Sequence, residues 1–232
     1  MTETGLRARP LTIASMIAQE LRARILAGEI PAGARLQQND VARQFDVSST
    51  PVREAFAELR RQGLVTGLEH RGVRVLRPTL GDVIEASEVE ELLEGPCIER
   101  SAPLLTDADL AIARRLLEEH RSVPEGQWQR RLELDTAFHM SLLVRCPNTK
   151  LRRLTEAAYQ DTVVYRLLLA PMDASVEHLL ETIYQQHEAI YSACADRDGE
   201  LAAACTVEHI RWGREVFKER ARSTILAGPS GA

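Results

Sequence analysis

The sequence predicts a mainly α protein in two parts: a three-helix head with a β-hairpin, then an all-α antiparallel helical bundle. Three observations predict it. Apolar residues recur at intervals of three and four along most of the chain, the period of amphipathic helices. Two short β-like runs, LVT and GVRVL, lie close together around the GLEHR turn. The linker RPTLGD (77–82) divides a basic first part from an acidic second part.

The length of 232 residues suffices for two modest domains, each with its own core. The expected divisions are a tail at 1–10, a head at 11–78, a helical body at 79–222 and a tail at 223–232. Residues 1–78 carry 12 Arg against 8 Asp and Glu, whereas 79–232 carry 17 basic and 26 acidic residues. A basic head on an acidic body suits a protein whose head alone meets a polyanion. No apolar run is long enough to span a bilayer, and no apolar stretch follows a basic start, so a cytoplasmic protein without membrane contact is expected. Cys97, Cys146, Cys194 and Cys205 form no CxxC pair, and their apolar settings read as reduced, buried thiols.

In the head, Ile13, Ile17, Leu21 and Ile25 fall at spacings of four within 11–28, a helix closed by Gly28. IPAG turns the chain into a short helix over 39–45. DVSST breaks that helix, and PVREAFAELRRQG starts another, with Ser and Thr as caps, Pro51 in the first turn and Gly63 at the end. Val52, Ala55, Phe56 and Leu59 form its inner stripe, leaving Arg53, Arg60 and Arg61 outside. Two short helices around a tight turn, followed by a hairpin, make a winged helix-turn-helix. Ser48, Ser49 and Thr50 can donate to phosphates beside the free N–H groups of the helix start. Arg53, one turn in, can reach a guanine edge in the major groove. Arg71 suits the minor groove, and Gly72 permits close backbone approach. The competing reading is a head that only binds protein, its arginines a solvated face.

The stretch GEIPAGARLQQNDVARQFDVSSTPVREAFAELRRQGLV, followed by RGVRV, resembles the winged helix of the GntR family of bacterial transcription regulators. The resemblance covers about 65 residues in order and includes SxTPVREA. It implies a homodimer on a short palindromic operator, with contacts from Asn39, Ser48, Ser49, Thr50, Arg53, Arg71 and Gly72. Many members carry Arg where this chain has Ser49, so their base contact there is expected to be absent or replaced.

The body reads as helices over 81–102, 106–121, 125–145, 148–170, 174–196 and 198–222, with breaks at APLLTD, SVPEG, CPN, APMD and DRD. An antiparallel bundle is the natural product. Asp135, Phe138, His139 and Leu142 share one stripe, so an ionisable pair points inward. His187 shares a stripe with Ile183, Ile190 and Cys194, and His209 with Cys205, Trp212 and Val216. His178 and His120 fall on polar or charged stretches and, with His70, read as surface residues. His187 lies 11 residues before Asp198 and His209 lies 11 after. Antiparallel helices therefore bring both to one level, about 16 Å from the turn. Asp135 and His139, at i and i+4, stack on one face. A buried aspartate facing several imidazoles requires a compensating charge. One divalent cation satisfies all four residues, zinc first, with nickel, manganese or iron also suited to the donor set. With no thiolate and with vacant positions, such a site admits water or a small anion.

LELDTAFHMSLL, QQHEAIYSACADRD and ACTVEHI resemble the three ligand-bearing segments of the FCD effector domain of FadR-type GntR regulators. The resemblance implies metal ligation by Asp135, His139, His187 and His209, and a small carboxylate effector, such as a sugar acid or central metabolite, held against the metal. The first body helix of relatives often carries an Arg where SEVEELLEG here holds Glu90, so the positive charge for an effector is expected from Arg145, Arg152 or Arg166.

Three functions follow. A ligand-responsive, metal-containing regulator couples the bundle to the operator through the placement of two heads in a dimer. A metal-dependent hydrolase uses the open metal to activate water, but no inward general base stands beyond the ligands. In the third, the metal is purely structural and the bundle serves dimerisation alone.

Overall fold

The computed structural model describes residues 12–68, 72–169 and 179–227, and the chain forms two compact units, Met1–Arg77 and Pro78–Ala232.

In the first unit, α1 (Ile13–Leu26) begins at Thr12, whose side chain accepts from the Ser15 N–H, and it buries Ile17, Leu21 and Ile25. After α2 (Gln38–Gln44), α3 (Ser49–Arg61) buries Val52, Ala55, Phe56 and Leu59, the stripe expected from the sequence. The two helices are tied by Gln38, whose Nε2 donates to the Ser49 carbonyl at 2.8 Å. The wing has three strands rather than two. β1 (Arg35–Gln37) precedes α2 and pairs antiparallel with β3 (Gly72–Val75), which also pairs with β2 (Val65–Leu68), giving the order β1-β3-β2. A three-residue strand of sequence RLQ has too little alternation to be legible alone. Gly72 meets β1 closely: a Cβ there would stand 2.4 Å from the Leu36 carbonyl oxygen. The need for glycine at this position therefore arises inside the wing, whatever lies beyond it.

The second unit is helical throughout its described residues: α4 (Leu80–Ser101), a 3-10 turn (Ala102–Leu104), α5 (Asp107–Ser122), α6 (Trp128–Leu142), α7 (Thr149–Leu169), α8 (Leu180–Ala195) and α9 (Gly199–Ala227). Capping boxes start α4 (Thr79 with Asp82) and α5 (Thr106 with Asp109), each satisfying orphan N–H groups at both cap positions. α6 starts at 128 rather than 125 because Pro124 and Gly126, the latter at φ +81°, hold a turn before it. α9 continues past 222, since ARSTILA contains no helix breaker.

α4 packs on α7 and α9, α5 on α6 and α8, and α8 on α9. The core between them includes Ile98, Phe138, Leu142 and Ile190, all fully buried. Burial of such side chains contributes about 1.5–3 kcal/mol each. α9 starts hard against the last turn of α4: a Cβ on Gly199 would lie 2.3 Å from the Glu99 carbonyl oxygen. The four cysteines are free thiols, three of them buried. Among the described residues no helix is long and apolar enough to cross a membrane.

Candidate metal centre

α6 presents Asp135 and His139 one turn apart on its buried face, α8 presents His187, and α9 presents His209. α8 and α9 reverse direction over Asp196–Asp198, where Arg197 takes φ +62° and Asp198 Oδ1 accepts from the Leu201 N–H at 2.9 Å. That tight reversal places His187 and His209 level. Their Nε2 atoms are 3.3 Å apart, His187 Nε2 is 3.3 Å from His139 Nε2, and Asp135 Oδ1 is 3.3 Å from His187 Nε2. One ligand atom from each of the four residues falls within 4.8 Å of the others.

The outer contacts of the cluster decide which atoms face inward. His139 Nδ1 lies 2.7 Å from Glu94 Oε1, and His209 Nδ1 lies 2.8 Å from Gln186 Oε1. With Nδ1–H donated to these oxygens, both Nε2 lone pairs point at the common centre, the tautomer that metal ligation requires. Tyr159 donates its hydroxyl to Asp135 Oδ2 at 2.7 Å, leaving Oδ1 toward the histidines. His187 Nδ1 has no hydrogen-bond partner among the described residues. Three nitrogens and one carboxylate oxygen with no thiolate fit zinc, nickel, manganese or iron(II).

Electrostatics also calls for a cation. Glu90, Glu94 and Asp135 are all buried around the three imidazoles. Burial opposes charge on His139, but Glu94, Asp135 and Glu90 outweigh it and hold its pKa at about 9. Burial likewise raises Asp135, yet the hydrogen bond from His187 and the charge of the imidazoles keep it well below the usual carboxylate range. Burial pushes His187 down despite Asp135. A divalent ion at the centre would compensate the same buried carboxylates.

His120 is not the surface residue expected. It is buried, its ring stands edge-on to His187 with centroids 5.5 Å apart, and burial lowers its pKa to about 4. The charged run EEHR misled because the helix turns its one inward position there to the core. Two of the three expected effector cations stand away from the pocket beside the cluster. Arg145 is exposed and pairs with Asp109 at 2.8 Å, and Arg152 donates to the Val144 carbonyl at 2.9 Å and faces Glu156. Both brace the surface near the junction of α6 and α7 and neither lines the pocket beside the cluster. Arg166 has its side chain outside the described set. Glu90 is buried and acts on the charge of His139 from α4; it does not line the pocket either. Among the described residues the arginine that does line it is Arg131, one turn before Asp135. That spacing was the available signal, obscured by the QRRLE run.

In the head, Asn39, Ser48, Ser49, Thr50 and Arg53 are all exposed. Ser48 is the N-cap of α3 but makes no side-chain cap bond, so its hydroxyl is not consumed by the helix. Gly72 lies at the start of β3, and Arg71, like His70, lies outside the described residues, as does His178.

Two family models match the chain. Residues 13–75 match the description "Bacterial regulatory proteins, gntR family" and residues 85–211 match "FCD domain". A probable D-xylose utilization operon transcriptional repressor of Paenarthrobacter nicotinovorans is 30% identical over 211 residues, covering 90% of this chain and 91% of the relative. The transcriptional repressor RspR of Escherichia coli is 28% identical, covering 82% of each chain. Among solved structures, E. coli McbR/YncC superposes with TM-score 0.71 at 20% identity, covering 90% of this chain and 99% of that one, which supports the fold. A putative GntR regulator from Rhodococcus sp. RHA1 gives TM-score 0.69 at 25% identity, covering 89% and 97%. The first two relatives are named as transcriptional repressors, and the Rhodococcus structure as a putative transcriptional regulator. The chain belongs to the GntR family of bacterial transcription regulators, with a gntR-type DNA-binding head and an FCD domain as its body.

Proposed function

We propose that the chain is a homodimeric regulator whose body holds one divalent metal ion through Asp135, His139, His187 and His209 and senses a small carboxylate that changes operator affinity. The observation that carries this reading is the convergence of three Nε2 atoms on Asp135 Oδ1, with two of the imidazoles oriented by Glu94 and Gln186. When bound, the metal supplies a Lewis-acidic point to which a carboxylate coordinates. Asp135 and His209 form both part of the cluster and part of the wall of an adjacent pocket, so a ligand there would reach the metal directly. That pocket supports a sensor over a purely structural metal. Operator contacts are assigned to Asn39, Ser48, Ser49, Thr50, Arg53, Arg71 and Gly72. Linkage requires that a ligand weakening operator binding is itself bound more weakly by the DNA-bound protein.

The test is a thermal-shift series of the full chain with zinc, with EDTA, and with small organic acids, repeated on His187→Ala. Metal-dependent stabilisation by an acid, lost in His187→Ala, is the expected result. A bundle that unfolds outright on chelation, with no acid effect when loaded, would favour the structural metal. Turnover of ester or amide substrates by the zinc-loaded protein would favour a hydrolase.

A further inference from the structure

The pocket next to the cluster has a volume of about 200 Å³. Its wall is built mainly from Trp128, Leu132, Ile183, Trp212, Val216 and Phe217. The three aromatic residues are only half-buried, so aromatic surface remains open at the pocket. Among the described residues the ionisable groups of the lining are Asp135 and His209, which belong to the cluster, with His120 and Arg131. Two guanidinium nitrogens of Arg131 are already given to the carbonyls of His120 and Val123, at 3.0 and 2.7 Å.

Taking the metal-anchored carboxylate reading as its basis, we infer that the effector is a compact aromatic carboxylate, one six-membered ring carrying its acid group directly or on a short arm. Size supports it: a cavity of about 150 Å³ accommodates benzene, so a slightly larger one accepts a ring plus a carboxylate of about ten heavy atoms in all. Chemistry supports it too. Each hydroxyl of a sugar acid would need a partner, and the apolar wall would leave most of them unmatched, at a cost that grows with each group. A ring instead covers the exposed faces of Trp128, Trp212 and Phe217. Asp135 sets the polarity of binding. Without a cation its carboxylate repels an acid at the inner end of the pocket; with a divalent ion between them the sign reverses. Ring recognition and metal dependence therefore belong to the same ligand.

Trp128 and Trp212 are the two tryptophans of the chain, so intrinsic fluorescence reports directly on this wall. Full-length, zinc-loaded protein is titrated with benzoate, phenylacetate, lactate and gluconate, following tryptophan emission and thermal midpoint. The aromatic acids are expected to shift emission and to saturate at concentrations at least about tenfold lower than lactate or gluconate. EDTA should remove the effect. Val216→Trp, which fills the pocket, should abolish it, and the milder Trp212→Phe should keep binding while reducing the emission change. Tighter, metal-dependent binding of lactate or gluconate would overturn the aromatic assignment and leave the metal sensor standing. Equal binding of benzoate with and without EDTA would overturn the metal-anchored pose. No response to any acid in loaded protein would remove the carboxylate-sensor reading itself, and this inference with it.

Discussion

His139 and Glu94 stand 2.7 Å apart through Nδ1 and Oε1, both side chains buried and 45 residues separated along the chain. The carboxylate orients the ring and makes the opposite nitrogen a stronger donor. Glu94→Gln keeps the shape but removes the charge. It is expected to weaken zinc binding by about 10–100-fold while leaving the helical circular dichroism unchanged. Competition against a chromophoric chelator measures this, and unchanged zinc affinity would refute the orienting role.

Arg53 is exposed in the first helical turns of α3. Arg53→Ala is expected to lower affinity for an operator selected from random DNA by about 1–3 kcal/mol, the worth of one bidentate base contact. Zinc content should not change. Fluorescence anisotropy with the selected duplex, paired with metal analysis of the same sample, checks both halves.

Glu91 joins α4 to α9 through Arg211, at 2.6 Å, and Arg214, at 2.8 Å. The hydrogen bond from Arg211, opposed by partial burial and reinforced by Arg214, holds its carboxyl below the ordinary value of 4.5. A folded pKa below the unfolded one means that the pair stabilises fully above about pH 4.5, and that this contribution is lost as pH falls through the folded value. Glu91→Gln should therefore cost about 1–2 kcal/mol near neutral pH and progressively less in acid. Urea unfolding of both proteins across that range would show the two stability curves converging as pH falls. Parallel curves would exclude the linkage.

Gly199 opens α9 against the Glu99 carbonyl. Alanine in place of glycine ordinarily steadies a helix by up to about 1 kcal/mol. Here the added methyl meets backbone, and Gly199→Ala is expected to destabilise by about 1–3 kcal/mol in thermal or urea unfolding. An unchanged or higher midpoint would mean that the two helices can part without loss.

The placement of His187 and His209 was legible because it depends only on helix rise and a reversal at Asp198, both visible in the residue pattern. The stripes of α1 and α3 were legible for a similar reason, a single period with clear breakers at each end. Glu94 was not, because EVEELLEG has the composition of a solvated helix face, and only the packing of α7 and α9 on α4, with His139 reaching in from α6, turns the residue into a buried partner. Gln186 sits beside His187 but reaches His209 on the next helix, a contact no local pattern encodes. The inward turn of His120 and the third strand of the wing depend in the same way on what the neighbouring segments cover.

The cluster and its pocket draw on α6, α8 and α9, and α9 is synthesised after every other element described. The head closes its own contacts within the first 77 residues. Domains generally fold in order of emergence from the ribosome. A nascent chain would thus hold its DNA-reading head for as long as it takes to translate some 130 further residues to His209, before the four residues of the cluster can come together. For that interval any affinity for the operator would be set by the head alone, and the proposed regulation could begin only when the chain is nearly complete.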